Sequence, residues 1–441
     1  MKLCDQSVLV MGMGRSGVSA AKYALSQGAH VTVTDLRTDS PRIEGANHTY
    51  GEHNRSEFVE ADLIIVSPGI PASAPDIVAA QQAGVRVISE LAFAAEILQE
   101  RQIPIIAVTG TNGKSSVTWF IGQLLNASGH SVFVGGNFGT ALTDLVASGD
   151  RPDFAVVEVS SYQLELPGKL QPTAAAVLNL SPDHLGRHGT METYANTKSD
   201  LFRNMCDSGY AALPQTDANN PGGLLHHGDT AAQPLWLDGN PGVSRNGMVA
   251  TLSGTPDDGV LDMSTLNLLG QHNQDNAAAA ALLCVCAGVA RNQLDFSTLT
   301  ALPHRLQPVH EANGVTWVND SKATNVDAAL VGISGIRRPM IVLLGGAGKP
   351  GADYSRLEGA LLGTAKCVVC FGDSGADIAA AINIENMKQV PTLSDAVHTA
   401  AQIAEAPDVV LLSPACASFD EFNNFEERGH AFTSLAQEAT Q

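Results

Sequence analysis

The sequence predicts an α/β protein of three domains, built on mostly parallel sheets with helices on both faces. Three observations support this class. Apolar β-type runs alternate with helical patterns, glycine-rich turns connect strands to helices, and the chain is 441 residues long. Such alternation is typical of parallel sheets, and about 150 residues is a common domain size. We place the domains at residues 1–97, 98–301 and 302–441.

The first domain opens with a strand pattern that leads into Gly12, Gly14 and Gly17 and then into a helix. The next predicted strand ends at Asp35. Glycines at this spacing let the backbone approach a diphosphate at a helix N-terminus, and the acid can bind a ribose hydroxyl. The pattern predicts a Rossmann-like domain that binds a nucleotide, and it does not distinguish a nicotinamide cofactor from another nucleotide.

The central domain contains the most informative motif of the chain. An apolar run at 105–109 is followed by GTNGKS at 110–115, then by a helical pattern. Backbone N–H groups of such a turn converge on phosphate, the lysine neutralises its charge, and the next hydroxyl can hold Mg²⁺. Position 108 is valine, where the longer form of the motif has glycine. The motif therefore predicts a compact phosphate loop in a P-loop ATPase-like domain.

Three further residues of this domain are candidates for chemistry. Glu158 ends an apolar strand, from which a carboxylate can reach the Mg²⁺ on the nucleotide phosphates. His184 follows the next strand at the same sheet edge. Lys198 lies on a predicted helix, where exposure statistics alone predict a surface lysine. The Gly-, Pro- and Asn-rich stretch 208–262 predicts loops and short antiparallel strands, before an apolar helix from Asn276.

The third domain repeats the strand-and-helix plan and is also predicted to be Rossmann-like. Its strand-end turns carry Lys322 and Lys349, with Thr324 beside the first and Ser418 in a later turn. Ligands collect at the carboxyl ends of parallel strands, and cations with hydroxyls suit a carboxylate ligand. Solvated loop lysines are the alternative interpretation of the same residues.

Composition excludes several classes of partner. The chain has 25 Lys and Arg against 45 Asp and Glu, a net charge of −20, which argues against nucleic acid and anionic membranes. Its longest apolar run, 277–290, is too short to span a bilayer. A strand follows the N-terminus directly, so we expect no signal peptide. Seven scattered cysteines indicate reduced thiols in a cytoplasm, and Cys367 and Cys370 are expected to be buried structural residues.

Together these motifs resemble the Mur ligases of bacterial peptidoglycan synthesis over nearly the whole chain. Segments typical of the family lie at 110–115, 158–161, 179–184, 198, 270–273 and 276. The branch that adds D-glutamate is indicated by SPGI at 67–70, NDSKATN at 319–325, SPACAS at 413–418 and FEERG at 425–429. The resemblance implies an ATP-dependent acid–amino-acid ligase that extends UDP-N-acetylmuramoyl-L-alanine with D-glutamate through an acyl phosphate. A cytoplasmic monomer is expected.

The resemblance also implies the site residues. The UDP-substrate set is Arg15, Ser16, Asp35, Arg37, Gly69 and Asn137. The ATP set is Gly110, Thr111, Asn112, Gly113, Lys114, Ser115, Ser116, Asn276, Arg305 and Asp320. The D-glutamate set is Lys322, Thr324, Lys349, Ser418 and Phe425. Two Mg²⁺ ions are expected on Ser115, Glu158, His184 and a carbamylated Lys198, and the catalytic set is Lys114, Glu158, His184, Lys198 and Lys322.

The sequence departs from the family pattern at two places. Ser116 replaces a common threonine and keeps the hydroxyl, whereas Gly186 stands where an aspartate is usual, so an acid has no role there. Three alternatives stay open on the sequence: a sister Mur or folylpolyglutamate-type ligase for another amino acid, an NAD-dependent dehydrogenase, and a nucleotide-dependent switch without synthesis. Amino-acid selectivity, NADH binding and formation of an amide bond distinguish them.

Overall fold

The computed structural model describes residues 2–215, 221–349 and 351–440. The chain forms two compact units. Unit 1 comprises residues 1–266 and 276–299, and unit 2 comprises residues 267–275 and 300–441.

Unit 1 contains the predicted N-terminal sheet, which has five parallel strands in the order β3-β2-β1-β4-β5. The central strand is β1, and the chain continues from it first to β2 and β3 on one side and then to β4 and β5 on the other. Its carboxyl end is therefore a switch point, where ligands of open α/β sheets bind. The elements are β1 Ser7–Met11, α1 Arg15–Ser26, β2 His30–Asp35, β3 Asn47–Tyr50, α2 Arg55–Glu60, β4 Leu63–Val66, α3 Pro75–Gln82, β5 Arg86–Ser89 and α4 Glu90–Glu100.

The second sheet of unit 1 has nine strands in the order β14-β13-β12-β11-β10-β9-β6-β8-β7. β6 lies between β8 and β9, so the phosphate loop that follows it is also at a switch point. The elements are β6 Ile105–Thr109, α5 Lys114–Ala127, β7 Val132–Gly136, α6 Leu142–Ser148, β8 Phe154–Glu158, α7 Ser161–Leu164, β9 Ala174–Val177, α8 Leu185–His188, α9 Met191–Ser199, β10 Tyr210–Leu213, β11 Gln233–Trp236, β12 Gly242–Asn246, β13 Val249–Ser253, β14 Gly259–Asp262 and α10 Gln271–Cys286.

The stretch 208–262 differs in part from the expectation of antiparallel strands. β12, β13 and β14 are antiparallel as expected, but β10 and β11 extend the parallel part of the sheet. Residues 216–220 of the stretch lie outside the described residues. The apolar run of β10, buried at Ala211, Ala212 and Leu213, explains the parallel pairing, because both faces of such a strand must be covered.

Unit 2 contains a six-stranded sheet in the order β15-β16-β20-β17-β18-β19, parallel except for the β15–β16 pair. Its elements are β15 Gln307–Ala312, β16 Val315–Asn319, α11 Val326–Ser334, β17 Met340–Gly345, α12 Glu358–Leu361, β18 Ala365–Phe371, α13 Gly375–Ala381, β19 Met387–Gln389, α14 Leu393–Ile403, β20 Val409–Ala415 and α15 Phe425–Glu438. Short 3₁₀ helices in the chain lie at Asp200–Phe202, Pro221–Leu224, Arg291–Gln293, Phe296–Thr298 and Tyr354–Leu357.

Helices cover both faces of the unit 2 sheet and give it two apolar cores. Cys367 packs into one core and Cys370 into the other, since residues three apart in a strand face opposite sides. Both thiols are buried, which confirms the expected structural role. Of the helices in the described ranges, none is long and apolar enough to cross a membrane.

Candidate active site

The phosphate loop connects β6 to α5 in a conformation that requires glycine at both ends. Gly110 has φ of 147° and Gly113 has φ of 82°, values that L side chains rarely adopt. Asn179, from the loop after β9, accepts hydrogen bonds from the N–H groups of Thr111 (3.2 Å) and Asn112 (2.8 Å). The loop is therefore held in place from the segment that follows the neighbouring strand.

Two lysines converge on this loop. The Nζ of Lys114 donates to the carbonyl oxygens of Gly110 (3.0 Å) and Thr111 (2.8 Å), and the Nζ of Lys198 donates to the same Gly110 oxygen (2.8 Å). Lys198 is only 1% exposed, so the expectation of a surface lysine is wrong. Burial lowers the pKa of Lys198 well below its ordinary value, and the positive charge of Lys114 lowers it further.

Glu158, the last residue of β8, is buried beside the loop because its strand pairs with β6 at Val108. Its Oε1 accepts a hydrogen bond from the Nδ2 of Asn137 at 2.6 Å. Its Oε2 is buried and has no hydrogen-bond partner among the described residues. Burying a carboxylate oxygen without a partner costs free energy, so this oxygen is well suited to bind a cation.

His184 lies at the N-terminus of α8 in a left-handed conformation, with φ of 52°. Its Nδ1 lies 3.0 Å from the hydroxyl of Tyr162, and the imidazole is about half exposed. The buried ring of Tyr194 joins this residue to the loop. It lies 6.5 Å from the His184 ring, its hydroxyl is 3.3 Å from Thr111 Oγ1, and Lys198 Nζ is 4.5 Å from its centroid.

The structure thus brings Lys114, Glu158 and Lys198 to one edge of the central sheet, with His184 on the adjoining helix. Among the described residues there is no cluster of three His, Cys, Asp or Glu that could hold a metal by itself. Mg²⁺ in nucleotide sites uses one or two carboxylates together with substrate phosphates, so one free carboxylate oxygen fits such an ion. The hydroxyl-bearing Ser115 is the second residue of α5 and is buried with Ser116.

A cavity of about 660 Å³ lies at the carboxyl edge of the first sheet. Its lining includes five of the six predicted UDP-substrate residues, namely Arg15, Ser16, Asp35, Arg37 and Gly69. The sixth, Asn137, is not part of this lining and contacts Glu158 instead. The third glycine of the motif is needed for packing, because a Cβ on Gly17 would lie 1.9 Å from the Gly12 oxygen.

Asp35 is ionised in this cavity. Burial raises the pKa of its carboxyl, but hydrogen bonds from the side chain and backbone of Arg37 and from the Met13 N–H outweigh burial and lower the pKa well below its ordinary value. A permanent carboxylate that is already oriented suits the acceptance of hydrogen bonds from ribose or base donors.

In unit 2, Asp320 follows β16 and is buried. Its Oδ1 accepts a hydrogen bond from the Leu306 N–H and its Oδ2 accepts one from the Ser413 hydroxyl. Burial raises the pKa of Asp320 to about 7. The neighbouring Arg305 lies in the 300–306 turn, and Asn276, the remaining predicted ATP residue, lies in unit 1 beside Gly113.

Four of the five predicted D-glutamate residues of unit 2 lie on loops, and the fifth, Phe425, is the first residue of α15. Lys322 Nζ lies 3.8 Å from the centroid of the Phe425 ring. The turns that carry Lys349 and Ser418 are joined by a pair of backbone hydrogen bonds between Ala347 and Ala417. Thr324 is half-buried, Ser418 is buried and Lys349 is exposed.

Arg428 is a residue of this region to which the sequence motifs assigned no role. Its guanidinium is buried and donates to the carbonyl oxygens of Ser321, Cys416 and Ala417 and to the Ser321 hydroxyl. Asn179 and Tyr194 were also missed as supports of the phosphate loop. The signal for Tyr194 is its spacing of four residues from Lys198, which places both side chains on one helix face.

Three family models match successive parts of the chain. They are the N-terminal domain of MurD-like Mur ligases at residues 6–89, the Mur ligase middle domain at 108–284, and the Mur ligase glutamate ligase domain at 304–416. The matches confirm the family resemblance and the α/β architecture of three successive Mur ligase domains.

Curated relatives match over the full length. A UDP-N-acetylmuramoylalanine–D-glutamate ligase of Anaeromyxobacter dehalogenans is 40% identical over 98% of this chain and 97% of its own. One of Koribacter versatilis is 35% identical over 99% and 98%. A Thermotoga maritima MurF ligase, solved in complex with ADP, shares the fold with a TM-score of 0.62 at 16% identity, over 99% of this chain and 96% of its own. The chain therefore belongs to the Mur ligase family, in the branch of the UDP-N-acetylmuramoylalanine–D-glutamate ligases.

Proposed function

We propose that this chain is an ATP-dependent ligase that joins D-glutamate to the L-alanyl carboxylate of UDP-N-acetylmuramoyl-L-alanine. The observation that carries the proposal is the phosphate loop with Lys114 and Lys198 on one carbonyl oxygen and the unpaired Glu158 oxygen beside it. Full-length relatives with the name of this ligase support the choice of substrates.

The residues divide into three binding sets. The cavity of the first sheet takes the UDP sugar through Arg15, Ser16, Asp35, Arg37 and Gly69, and Asn137 acts from beside Glu158. The phosphate loop, with Asn276, Arg305 and Asp320, takes ATP. The loops of unit 2 take D-glutamate through Lys322, Thr324, Lys349, Ser418 and Phe425, where cations and hydroxyls can bind its carboxylates.

Two Mg²⁺ ions would be held by Glu158, through its unpaired carboxylate oxygen, and by Ser115, His184 and a carbamylated Lys198. When bound, the ions would neutralise charge on the transferring phosphoryl group. The lowered pKa of Lys198 supports the carbamate, because only the neutral amine reacts with CO₂. The modification replaces a buried cation by an anion with two oxygens.

The chemistry proceeds in two steps. An oxygen of the alanyl carboxylate attacks the γ-phosphorus of ATP, the bond to the leaving oxygen breaks, and ADP and an acyl phosphate form. The neutral amine of D-glutamate then attacks the acyl carbon, the attacking nitrogen loses a proton to solvent, and the tetrahedral intermediate expels phosphate to leave the amide. Lys114 neutralises developing charge in the first step, and Lys322 orients the amino acid and stabilises the tetrahedral intermediate in the second.

We also propose three domains, with boundaries at 97/98 and 301/302, that bind the sugar nucleotide, ATP and D-glutamate respectively. The enzyme is proposed to be a monomer of the cytoplasm, a compartment in which thiols stay reduced, as the free cysteines of this chain are.

The test is phosphate release from ATP with UDP-N-acetylmuramoyl-L-alanine, with and without D-glutamate, followed by the mass of the product. We expect release that depends on both substrates and a product heavier by one glutamyl residue. Lys114→Ala should abolish it. Turnover with another amino acid in place of D-glutamate would assign the chain to a sister ligase, and turnover without a new amide bond would refute synthesis.

A further inference from the structure

Arg187, the third residue after His184, connects the two sheets of unit 1. Its Nε and Nη2 donate to the two carboxylate oxygens of Glu165 at 2.8 and 2.9 Å. The two side chains are only 16% and 15% exposed. A bidentate pair that is largely removed from water has a defined geometry, unlike most surface ion pairs.

The remaining donors of Arg187 bind the loop after β4, which is called the SPGI loop (residues 67–72). Nη2 donates to the Ile70 oxygen at 2.8 Å and Nη1 to the Gly69 oxygen at 3.2 Å. Glu165 in turn accepts a hydrogen bond from the Ala72 N–H at 3.0 Å. Three backbone groups of the loop are thus held by one ion pair, and the same loop lines the 660 Å³ cavity.

Arg187 also contacts Tyr162, the neighbour of the predicted metal ligand His184. Its guanidinium lies 4.7 Å from the centroid of the Tyr162 ring, and the Tyr162 hydroxyl is 3.0 Å from His184 Nδ1. One side chain therefore contacts both the wall of the sugar-nucleotide cavity and the aromatic ring that holds His184. Movement of the pair would displace both at once.

We propose that Arg187 and Glu165 are positioning residues that set the SPGI loop relative to His184, so that a sugar nucleotide bound in the cavity presents its carboxylate at the phosphate loop. This inference depends on the proposed function, because it assigns the pair to the carboxylate-bearing substrate. Lysine cannot replace the arginine, since its ammonium cannot bind a carboxylate with two parallel bonds and reach two carbonyls as well.

The experiment compares Arg187→Met and Arg187→Lys with Arg86→Met in the full chain. Arg86 is a matched control, because it also forms an ion pair, with Glu96, whose carboxylate holds the Lys169 N–H, and it does not line the cavity. We expect Arg187→Met to raise KM for UDP-N-acetylmuramoyl-L-alanine and lower kcat, each about ten- to a hundredfold, with KM for D-glutamate unchanged. Arg187→Lys should restore little, and Arg86→Met should change neither constant.

Glu165→Gln should reproduce the effect, and the double variant with Arg187→Met should be no worse than either single variant, as expected for two residues that act as a unit. The inference would be overturned if Arg86→Met lost as much activity as Arg187→Met, or if KM rose equally for all three substrates. Additive effects of the two single substitutions would also overturn it. Thermal unfolding of each variant measures the folded fraction under the assay conditions, so a loss of positioning can be distinguished from a loss of folded protein. Failure of the proposed function can be distinguished from failure of this inference, because in the first case the unaltered chain would itself make no amide product.

Discussion

At the scale of single residues, the environment of Lys198 is the feature with most chemical content. A lysine that is almost fully buried and shares an acceptor with a second lysine cannot stay protonated as easily as one in water. The pKa of its amine is lowered, so a neutral nucleophile is present at lower pH than for an ordinary lysine. This is the condition for carbamate formation with CO₂.

We therefore expect activity to depend on CO₂. Enzyme kept in CO₂-depleted buffer should lose ligase activity and regain it with bicarbonate, and its intact mass should rise by one CO₂. Lys198→Arg keeps a cation that cannot be carbamylated and should lower kcat at least about a hundredfold. Lys169→Met, at an exposed lysine, is the control and should leave the bicarbonate response unchanged. Full activity without CO₂ would contradict the carbamate.

Asp320 leads to a prediction about stability and pH. Burial raises the pKa of its carboxyl to about 7 in the folded protein, from an ordinary value of 3.8. Between these two pH values the folded state binds one more proton than the unfolded state. The Asp320 carboxyl therefore stabilises the folded state below pH 4, and this contribution to the free energy of unfolding is lost as pH rises towards 7. Asp320→Asn keeps both hydrogen-bond positions and removes this titration.

Wild type should therefore lose stability relative to Asp320→Asn between pH 4 and 7. The difference of about three pKa units sets an upper limit of roughly 4 kcal/mol. The measurement is the thermal unfolding of both proteins at several pH values. Parallel curves would show that the carboxyl is ionised throughout.

At the scale of elements, sequence patterns predicted the strand-to-helix turns well, because they depend on local chemistry. β6, the phosphate loop and α5 lie where the GTNGKS motif indicates, and each of the five predicted residues that line the cavity of the first sheet lies within five residues of the carboxyl end of a strand. Contacts distant in sequence could not be predicted. The Arg187–Glu165 pair and the burial of Lys198 depend on how neighbouring elements pack, and exposure statistics gave the wrong result for that lysine.

The junction of the phosphate loop and α5 provides a test at this scale. Gly113 has φ of 82°, and a Cβ there would lie 2.9 Å from Asn276 Oδ1, whereas Gly129 after α5 has φ of 87° with no atom nearby. Gly113→Ala and Gly129→Ala should both destabilise the chain by about 1–2 kcal/mol, because both need the left-handed conformation. Only Gly113→Ala should weaken ATP binding, measured by calorimetry. If the two variants bound ATP with equal affinity, the proposed roles of Gly113 and Asn276 in the nucleotide site would be contradicted.

At the scale of the whole molecule, the proposed ATP residues are divided between the two compact units. Lys114 and Asn276 belong to unit 1, and Arg305 and Asp320 belong to unit 2. The proposed substrates are divided similarly, with the sugar nucleotide on unit 1 and D-glutamate on unit 2. Under this proposal the two units would close around the ligands before the reaction, and closure of this kind excludes water from a reactive acyl phosphate.

We expect the radius of gyration to fall when a non-hydrolysable ATP analogue and UDP-N-acetylmuramoyl-L-alanine bind together, because the proposed ATP residues belong to both units and bound ATP would stabilise the closed population. Small-angle X-ray scattering at saturating ligands measures this change. Arg305→Ala removes a proposed ATP contact that belongs to unit 2, so the variant should retain sugar-nucleotide binding on unit 1 and lose most of the compaction. Unchanged scattering of the unaltered chain with every ligand bound would contradict closure, and compaction that survives Arg305→Ala would exclude this residue as the link.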